Sequence, residues 1–324
     1  MATLTYIEAI RMALLEEMRR DDRVVLIGED IGRYGGAFKA TKGLFDEFGE
    51  TRVLDAPISE SAIVGSCIGA AIRGLRPVAE MQFADFVTCG FSQIVINAAT
   101  FHYRLGVSVP MVVRCPSGGG VAAGPYHSRS VEAWFTHGPG LKVVVPSTPA
   151  DAKGLLLAAI RDPDPVLYVE QKLLYRRLKG EVPDGDEAAP LGQAAVRHAG
   201  DEATVVTWGS CVPMAVEAAE QMEKNGRSIE VIDLRTLVPY DVNTVLASVK
   251  KTSRLLVLHE DVRTGGFGAE IAAVVADEAF GWLDAPVRRL TSLDVPMPAE
   301  ASLEAFVRPS AEKTIAALED LLAY

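Results

Sequence analysis

At 324 residues the chain is long enough for two domains with full cores, and 49% apolar with 23% charged residues excludes a disordered polypeptide. Its formal net charge of −11 disfavours nucleic acid and anionic membrane as main partners. Four scattered cysteines (Cys67, Cys89, Cys115, Cys211) without CxxC spacing point to free thiols in a reducing compartment rather than disulfides or a zinc site.

The first residues lead into an amphipathic helix predicted over 5–20, with neither a signal-peptide core nor a transit composition, and no run is long enough to span a membrane. A cytoplasmic protein is expected. Strand-like apolar runs then alternate with helix-like stretches, the pattern of a parallel sheet in an α/β fold. Strands are predicted over 24–28, 76–82, 110–115, 142–146 and 165–170, with helices over 59–73, 93–106 and 149–161. The stretch 179–190, acidic and rich in Pro and Gly, reads as a linker. The alternation then starts afresh, with strands over 203–208, 229–234 and 254–260 and helices over 212–225, 242–250, 268–280 and 310–322. Two α/β domains joined near residue 185 are expected.

Several segments could carry chemistry. Asp55-Ala56-Pro57-Ile58-Ser59-Glu60 ends a short strand in a proline turn and puts Ser59 at a helix N-cap with Glu60 in the first turn. The helix behind it holds Gly65 and Gly69, each costing about 1 kcal/mol against alanine, so close approach of another backbone or a ligand is expected. Glu60 is either an acid favoured by the helix macrodipole or a working group; position alone does not separate the two. Gln82 and Phe86 follow a strand, where ligands of open α/β sheets bind, and core packing is the alternative for the aromatics. Ser117-Gly118-Gly119-Gly120 opens a long loop ending near His127, a residue whose reference pKa suits general acid work; a surface histidine is the alternative. Gly265-Gly266-Phe267-Gly268 lacks the GxGxxG spacing, so close helix–strand packing is the better reading than a phosphate cradle. Asp162-Pro163-Asp164-Pro165 is a turn whose oxygens could hold a hard cation. No Walker A, GxSxG or HExxH motif occurs.

Together these segments resemble the beta subunit of the decarboxylating component of 2-oxo acid dehydrogenase complexes, a branch of the transketolase-like thiamine diphosphate enzymes. The resemblance rests on Val25–Asp30, 55–60, Gly74-Leu75-Arg76-Pro77, 82–86, 116–120, His127-Ser128, 139–144, 151–155, 231–236 and Asp284-Ala285-Pro286, in that order along the whole chain. It implies a pyrimidine-binding transketolase-like domain over 1–185 and a transketolase C-terminal-like domain over 186–324. It implies that Glu60 hydrogen-bonds N1′ of the thiamine diphosphate aminopyrimidine, that Phe86 packs on that ring with Gln82 nearby, and that His127 serves in substrate orientation, proton transfer and acyl transfer to a lipoyl group. A structural potassium ion is implied at carbonyls around Met111, Ala159 and Ile160 and at the turn of Asp162 and Asp164. The GDG motif that normally holds the diphosphate and Mg2+ is missing; Asp184-Gly185-Asp186 in the linker is the nearest string. Hence an alpha subunit is implied, in a two-alpha, two-beta heterotetramer, with a lipoyl-bearing acyltransferase as further partner and a small 2-oxo acid as substrate. The segments at Tyr126–His137 and Arg263–Gly268 look nearer to branched-chain members (2-oxoisovalerate) than to pyruvate members. Pyruvate dehydrogenase and acetoin dehydrogenase beta subunits, and a non-catalytic assembly subunit, are the alternatives.

Overall fold

The structure, a computed structural model, describes residues 1–324. Its contacts divide the chain into two compact units, Met1–Ser117 with Trp134–Leu191, and Gly118–Ala133 with Gly192–Tyr324. The glycine loop, expected to stay with residues 1–185, therefore groups with the second unit.

The first unit contains strands β1 (Ala2–Thr5), β2 (Val24–Gly28), β3 (Val53–Asp55), β4 (Arg76–Glu80), β5 (Val112–Ser117), β6 (Lys142–Val144), β7 (Val166–Gln171) and β8 (Lys179–Val182). Its helices are α1 (Tyr6–Arg20), α2 (Leu44–Phe48), α3 (Glu60–Ile72), α4 (Ala99–Leu105), α6 (Pro149–Arg161) and α7 (Leu174–Arg177), and α5 (Glu132–Thr136) is where the chain returns from the loop. Strands β6, β7, β5, β4, β2 and β3 lie side by side in that order, all parallel. β5 and β7 are buried at every residue, as their near-continuous apolar runs demand of strands covered on both faces. Helix α1 starts on a reciprocal cap: the Glu8 N–H donates to the Thr5 hydroxyl and the Thr5 N–H to the Glu8 carboxylate. Helix α6 starts on the Thr148 hydroxyl with Pro149 in its first turn. The two helices contribute Ile10, Leu14, Leu155 and Leu156 to a core shared with Leu26, Val78 and Tyr168; each such leucine gains about 1.5–3 kcal/mol on burial.

Two local expectations change here. The start of the expected linker is β8, paired antiparallel with β1 from Ala2↔Val182 to Thr5↔Lys179, a partner more than 170 residues away in sequence. The small residues of α3 meet little within this chain: a Cβ on Gly65 would come only within 3.9 Å of the Gln93 side chain, and one on Gly69 would meet nothing within 4 Å. Ser61, Ala62, Ser66 and Gly69 are exposed.

The second unit contains β9 (Ala195–His198), β10 (Ala203–Thr207), β11 (Ile229–Asp233), β12 (Thr236–Val238), β13 (Leu255–Val262) and β14 (Arg288–Ser292), with helices α8 (Cys211–Glu223), α9 (Val242–Thr252), α10 (Gly268–Glu278), α11 (Ala301–Val307) and α12 (Ala311–Leu322). Its sheet runs β14-β13-β10-β11-β9, parallel except for β9. Val205, Val231, Leu256 and Leu258 pack under Ala215 of α8 and Leu318 of α12. The glycines after β13 serve packing: a Cβ at Gly266 would lie 2.6 Å from the His259 ring and one at Gly268 2.7 Å from it. His259 in turn stacks on Trp208, with ring centroids 5.1 Å apart. No helix is long and apolar enough to cross a membrane.

Candidate functional site

Three neighbouring strands of the first unit, in the order β3-β2-β4, end beside one another, and the segments leaving them carry most of the expected site residues. β2 is followed by Glu29 and Asp30, β3 by the turn leading to Ser59 and Glu60, and β4 by Gln82 to Phe86. This is the carboxyl edge of a parallel sheet, where the fold leaves a crevice. Glu60 is the first residue of α3 and half-buried. Ser59 does not cap that helix with its side chain, contrary to expectation. Its backbone sits at φ −169°, ψ 59°, its hydroxyl donates to the Pro57 carbonyl at 2.8 Å, and its N–H donates to Glu29 Oε1 at 3.3 Å.

Glu29 lies in the Val25–Asp30 stretch but has no role implied by the sequence, yet it is only 6% exposed and lies against the start of α3. Burial, followed by the negative charge of Glu60, holds its carboxyl above the ordinary glutamate range. Asp30 adopts a left-handed φ of 58° and accepts a hydrogen bond from Gln82 Nε2 at 3.2 Å, tying the segment after β4 to the one after β2. Phe86 packs edge-to-face on Phe83 (5.8 Å between centroids), and Phe83 on Phe38 (5.3 Å). Glu60, Gln82 and Phe86 are thus brought to the same sheet edge, half-buried and with aromatic backing.

Beneath them β4, β5 and β7 carry a buried ion group. Arg114, 1% exposed, donates to Glu80 and, through Nε and Nη2, to Glu170; the Tyr175 hydroxyl donates to Glu170 Oε2 at 2.6 Å. Burial pushes the Glu80 carboxyl up despite its arginine. Burial also opposes the Arg114 charge, but the two carboxylates outweigh it and hold the guanidinium protonated.

His127 belongs to the second unit, within Gly118–Ala133. It is half-buried, and its N–H donates to the Gly124 carbonyl at 3.3 Å. The backbone amides earlier in this glycine-rich loop, which the sequence left open to a ligand, are occupied by carboxylates of the same unit: Gly119 by Glu260, and Gly120 and Ala122 by Glu304. At the loop's other end Trp208 Nε1 donates to Glu132 at 3.1 Å.

The expected cation turn is crowded with the chain's own cations. The Met111 carbonyl accepts from the Val166 N–H and that of Ala159 from the Asp162 N–H, while Arg76 donates to the carbonyls of Ile160 (2.6 Å) and Asp162 (3.2 Å). Lys142 bridges the carboxylates of Asp162 (2.7 Å) and Asp164 (3.0 Å), and His102 Nδ1 lies 2.7 Å from Asp164. Burial opposes the Asp164 charge, but the bonds to His102 and Lys142 hold its carboxyl below the usual range.

Residues 2–177 match the family described as transketolase, pyrimidine binding domain, and residues 192–314 match transketolase, C-terminal domain. The chain is 50% identical over 324 residues to the 2-oxoisovalerate dehydrogenase subunit beta of Bacillus subtilis (strain 168), covering 99% of each chain. The chain belongs to the beta subunits of 2-oxo acid dehydrogenases, in the transketolase family. It is also 47% identical to the pyruvate dehydrogenase E1 component subunit beta of Acholeplasma laidlawii (99% of this chain, 98% of that one). Among solved structures, a split-gene transketolase described as an inactive beta4 tetramer superposes with a TM-score of 0.81 over 99% of this chain and 98% of its own, at 24% identity, which shows the same fold. Both the branched-chain and the pyruvate expectations thus fall within the family to which the chain belongs.

Proposed function

We propose that the chain is the beta subunit of a thiamine diphosphate-dependent 2-oxo acid dehydrogenase that decarboxylates a 2-oxo acid together with an alpha subunit and passes the acyl group to the lipoyl group of an acyltransferase. The observation that carries this reading is the placement of Glu60, Gln82 and Phe86 at adjoining strand ends of the unit that matches a pyrimidine-binding domain. The residues suit an aminopyrimidine: a half-buried carboxylate beside the buried Glu29, a side-chain amide and an aromatic ring. Thiamine diphosphate, when bound, supplies the carbon nucleophile and electron sink that decarboxylation of a 2-oxo acid needs. Glu60 accepts a hydrogen bond from N1′ and holds the proton at that atom, a charge-assisted contact that strengthens where water is excluded. Phe86 packs on the ring, Gln82 orients it, and His127 orients the substrate and moves a proton during acyl transfer.

The domains are assigned as 1–185 and 186–324, with the His127 loop contributed to the second unit. The diphosphate and Mg2+ fall to the alpha subunit, supported by the missing GDG motif, and the bare small-residue face of α3 suits contact with another chain in a two-alpha, two-beta assembly. A structural potassium ion would be held by carbonyls around Met111, Ala159 and Ile160 and by the turn at Asp162 and Asp164, where it would compete with Arg76 for the Ile160 and Asp162 carbonyls and with Lys142 for the two carboxylates. Four unpaired cysteines support a cytoplasmic setting. A branched-chain 2-oxo acid is the first substrate to try. Co-expression with an alpha subunit, thiamine diphosphate and Mg2+ tests the reading. Decarboxylation of 2-oxoisovalerate in preference to pyruvate and acetoin is expected, and absence of any thiamine-dependent decarboxylation overturns it.

A further inference from the structure

The bend at the start of the His127 loop is shaped like an anion cradle, and carboxylates of the same unit fill it. Gly118, Gly120, Ala122 and Gly124 all take left-handed φ values (82°, 84°, 55° and 73°), which turns successive N–H groups toward one side. The N–H groups of Gly119, Gly120 and Ala122 go to two carboxylates of the same unit, while that of Gly118 donates to the Arg129 carbonyl at 3.0 Å. Glu304, 3% exposed on α11, uses both oxygens: Oε1 accepts from Gly120 and Oε2 from Ala122, each at 2.9 Å. Glu260, 5% exposed on β13, accepts from the Gly119 N–H and is itself held by Ser210 (2.6 Å) and Arg308 (2.7 Å). The fit is close: a Cβ on Gly119 would lie 2.8 Å from Glu304 Oε1, and one on Gly124 only 3.2 Å from the Ala299 side chain. The Gly124 carbonyl then accepts the His127 N–H. A continuous path therefore runs from the Glu304 carboxylate through Gly120, Ala122 and Gly124 to His127. Ala122 has the positive φ that a β-carbon makes costly, so this bend needs an external hold.

We infer that Glu304 is a positioning residue for His127: its carboxylate fills the amide cradle at Gly120 and Ala122, and so fixes the path of the loop that presents the histidine. This rests on the role proposed above for His127. A carboxylate suits the task because both oxygens accept charge-assisted bonds from amides that would otherwise stay unpaired in a closed bend. Glutamine can satisfy only one of the two amides, and alanine neither.

The test uses the full chain assembled with its alpha subunit, as wild type, Glu304→Gln and Glu304→Ala. Amide hydrogen exchange over residues 118–127 should quicken about tenfold or more in Glu304→Ala and to a lesser degree in Glu304→Gln, with the Ala203–Thr207 strand unchanged. The kcat for 2-oxo acid decarboxylation should fall by about tenfold while thiamine diphosphate affinity stays within about twofold. On a His127→Ala background, Glu304→Ala should lower kcat no further, which a general loss of structure would not reproduce. Exchange and kcat within about twofold of wild type in Glu304→Ala would overturn the inference; if that variant fails to assemble, unchanged exchange and kcat in Glu304→Gln overturn it equally. Should the wild type show no decarboxylation, the proposed function fails, while the exchange measurement still decides whether the clamp exists.

Discussion

Arg114 on β5 and Glu60 at the start of α3 belong to the same unit, yet their surroundings follow opposite rules. At Arg114 two buried carboxylates, Glu80 and Glu170, converge on one buried guanidinium, and a tyrosine hydroxyl completes the shell. At the strand ends, Glu29 and Glu60 face each other's negative charge with no lysine or arginine in ion-pair contact with either. The first arrangement is closed, with each carboxylate paired to the central guanidinium, so it serves to hold strands together. The second leaves an unbalanced carboxyl pair at an open edge, which a fold retains at a cost in stability and which a ligand with a hydrogen-bond donor can relieve. The second unit repeats the contrast on one strand. Burial opposes the Glu260 charge, but Arg308 and Ser210 hold its carboxyl below the usual range, whereas burial and then Glu132 push the neighbouring Asp261 up to about 8.

The largest expected effect comes from breaking the paired group. Arg114→Met should destabilise the chain by about 3–5 kcal/mol in denaturant unfolding, because it strands two buried carboxylates. A loss under about 1 kcal/mol would show that this group is no more structural than the strand-end pair. Glu60→Gln should do the reverse. In the assembled enzyme it should lower decarboxylation by about a hundredfold or more, with unfolding free energy within about 0.5 kcal/mol of wild type. A stability loss without a rate loss would return Glu60 to the bland role of a helix-start acid.

Asp261 sharpens the comparison through pH. Its folded pKa lies above the ordinary 3.8, so the folded state binds more protons than the unfolded one between about pH 4 and 8, and stability falls as pH rises through that window. Asp261→Asn should therefore gain stability over wild type progressively from pH 4 to about 8, read as a rising difference in denaturation midpoint. A flat difference would mean that Asp261 has a counter-charge after all. The smallest effect is expected at Ser59. Its hydroxyl donates to Pro57 instead of capping α3, so Ser59→Ala should cost less than about 0.5 kcal/mol, below the range of a true cap. A loss near about 1 kcal/mol would show that the cap forms in solution.

Much of this molecule could be read along the chain. Val24–Gly28 and Pro149–Arg161 fall where their apolar runs and the Thr148-Pro149 start signal place them, because strand burial and helix capping are decided within a few residues. Glu60, Gln82, Phe86 and His127 stood out through their places after strands and in a glycine loop, and a family resemblance turned those places into roles. Glu29 falls in the Val25–Asp30 stretch but carried no role there: an acid after a strand is ordinary until burial and a second carboxyl make it unusual, and both come from packing.

The amino-acid sequence by itself determined the alternation of strands and helices, the two α/β units and the candidate residues, since periodicity, caps and turn chemistry act locally. Only the tertiary structure decided what those residues face. It paired β1 with β8, turned the Ser59 hydroxyl away from its helix, and filled the amides of the glycine loop with a carboxylate from a helix 184 residues on from Gly120. Such contacts depend on which surfaces meet when the chain closes over long separations, and no local pattern encodes the partner.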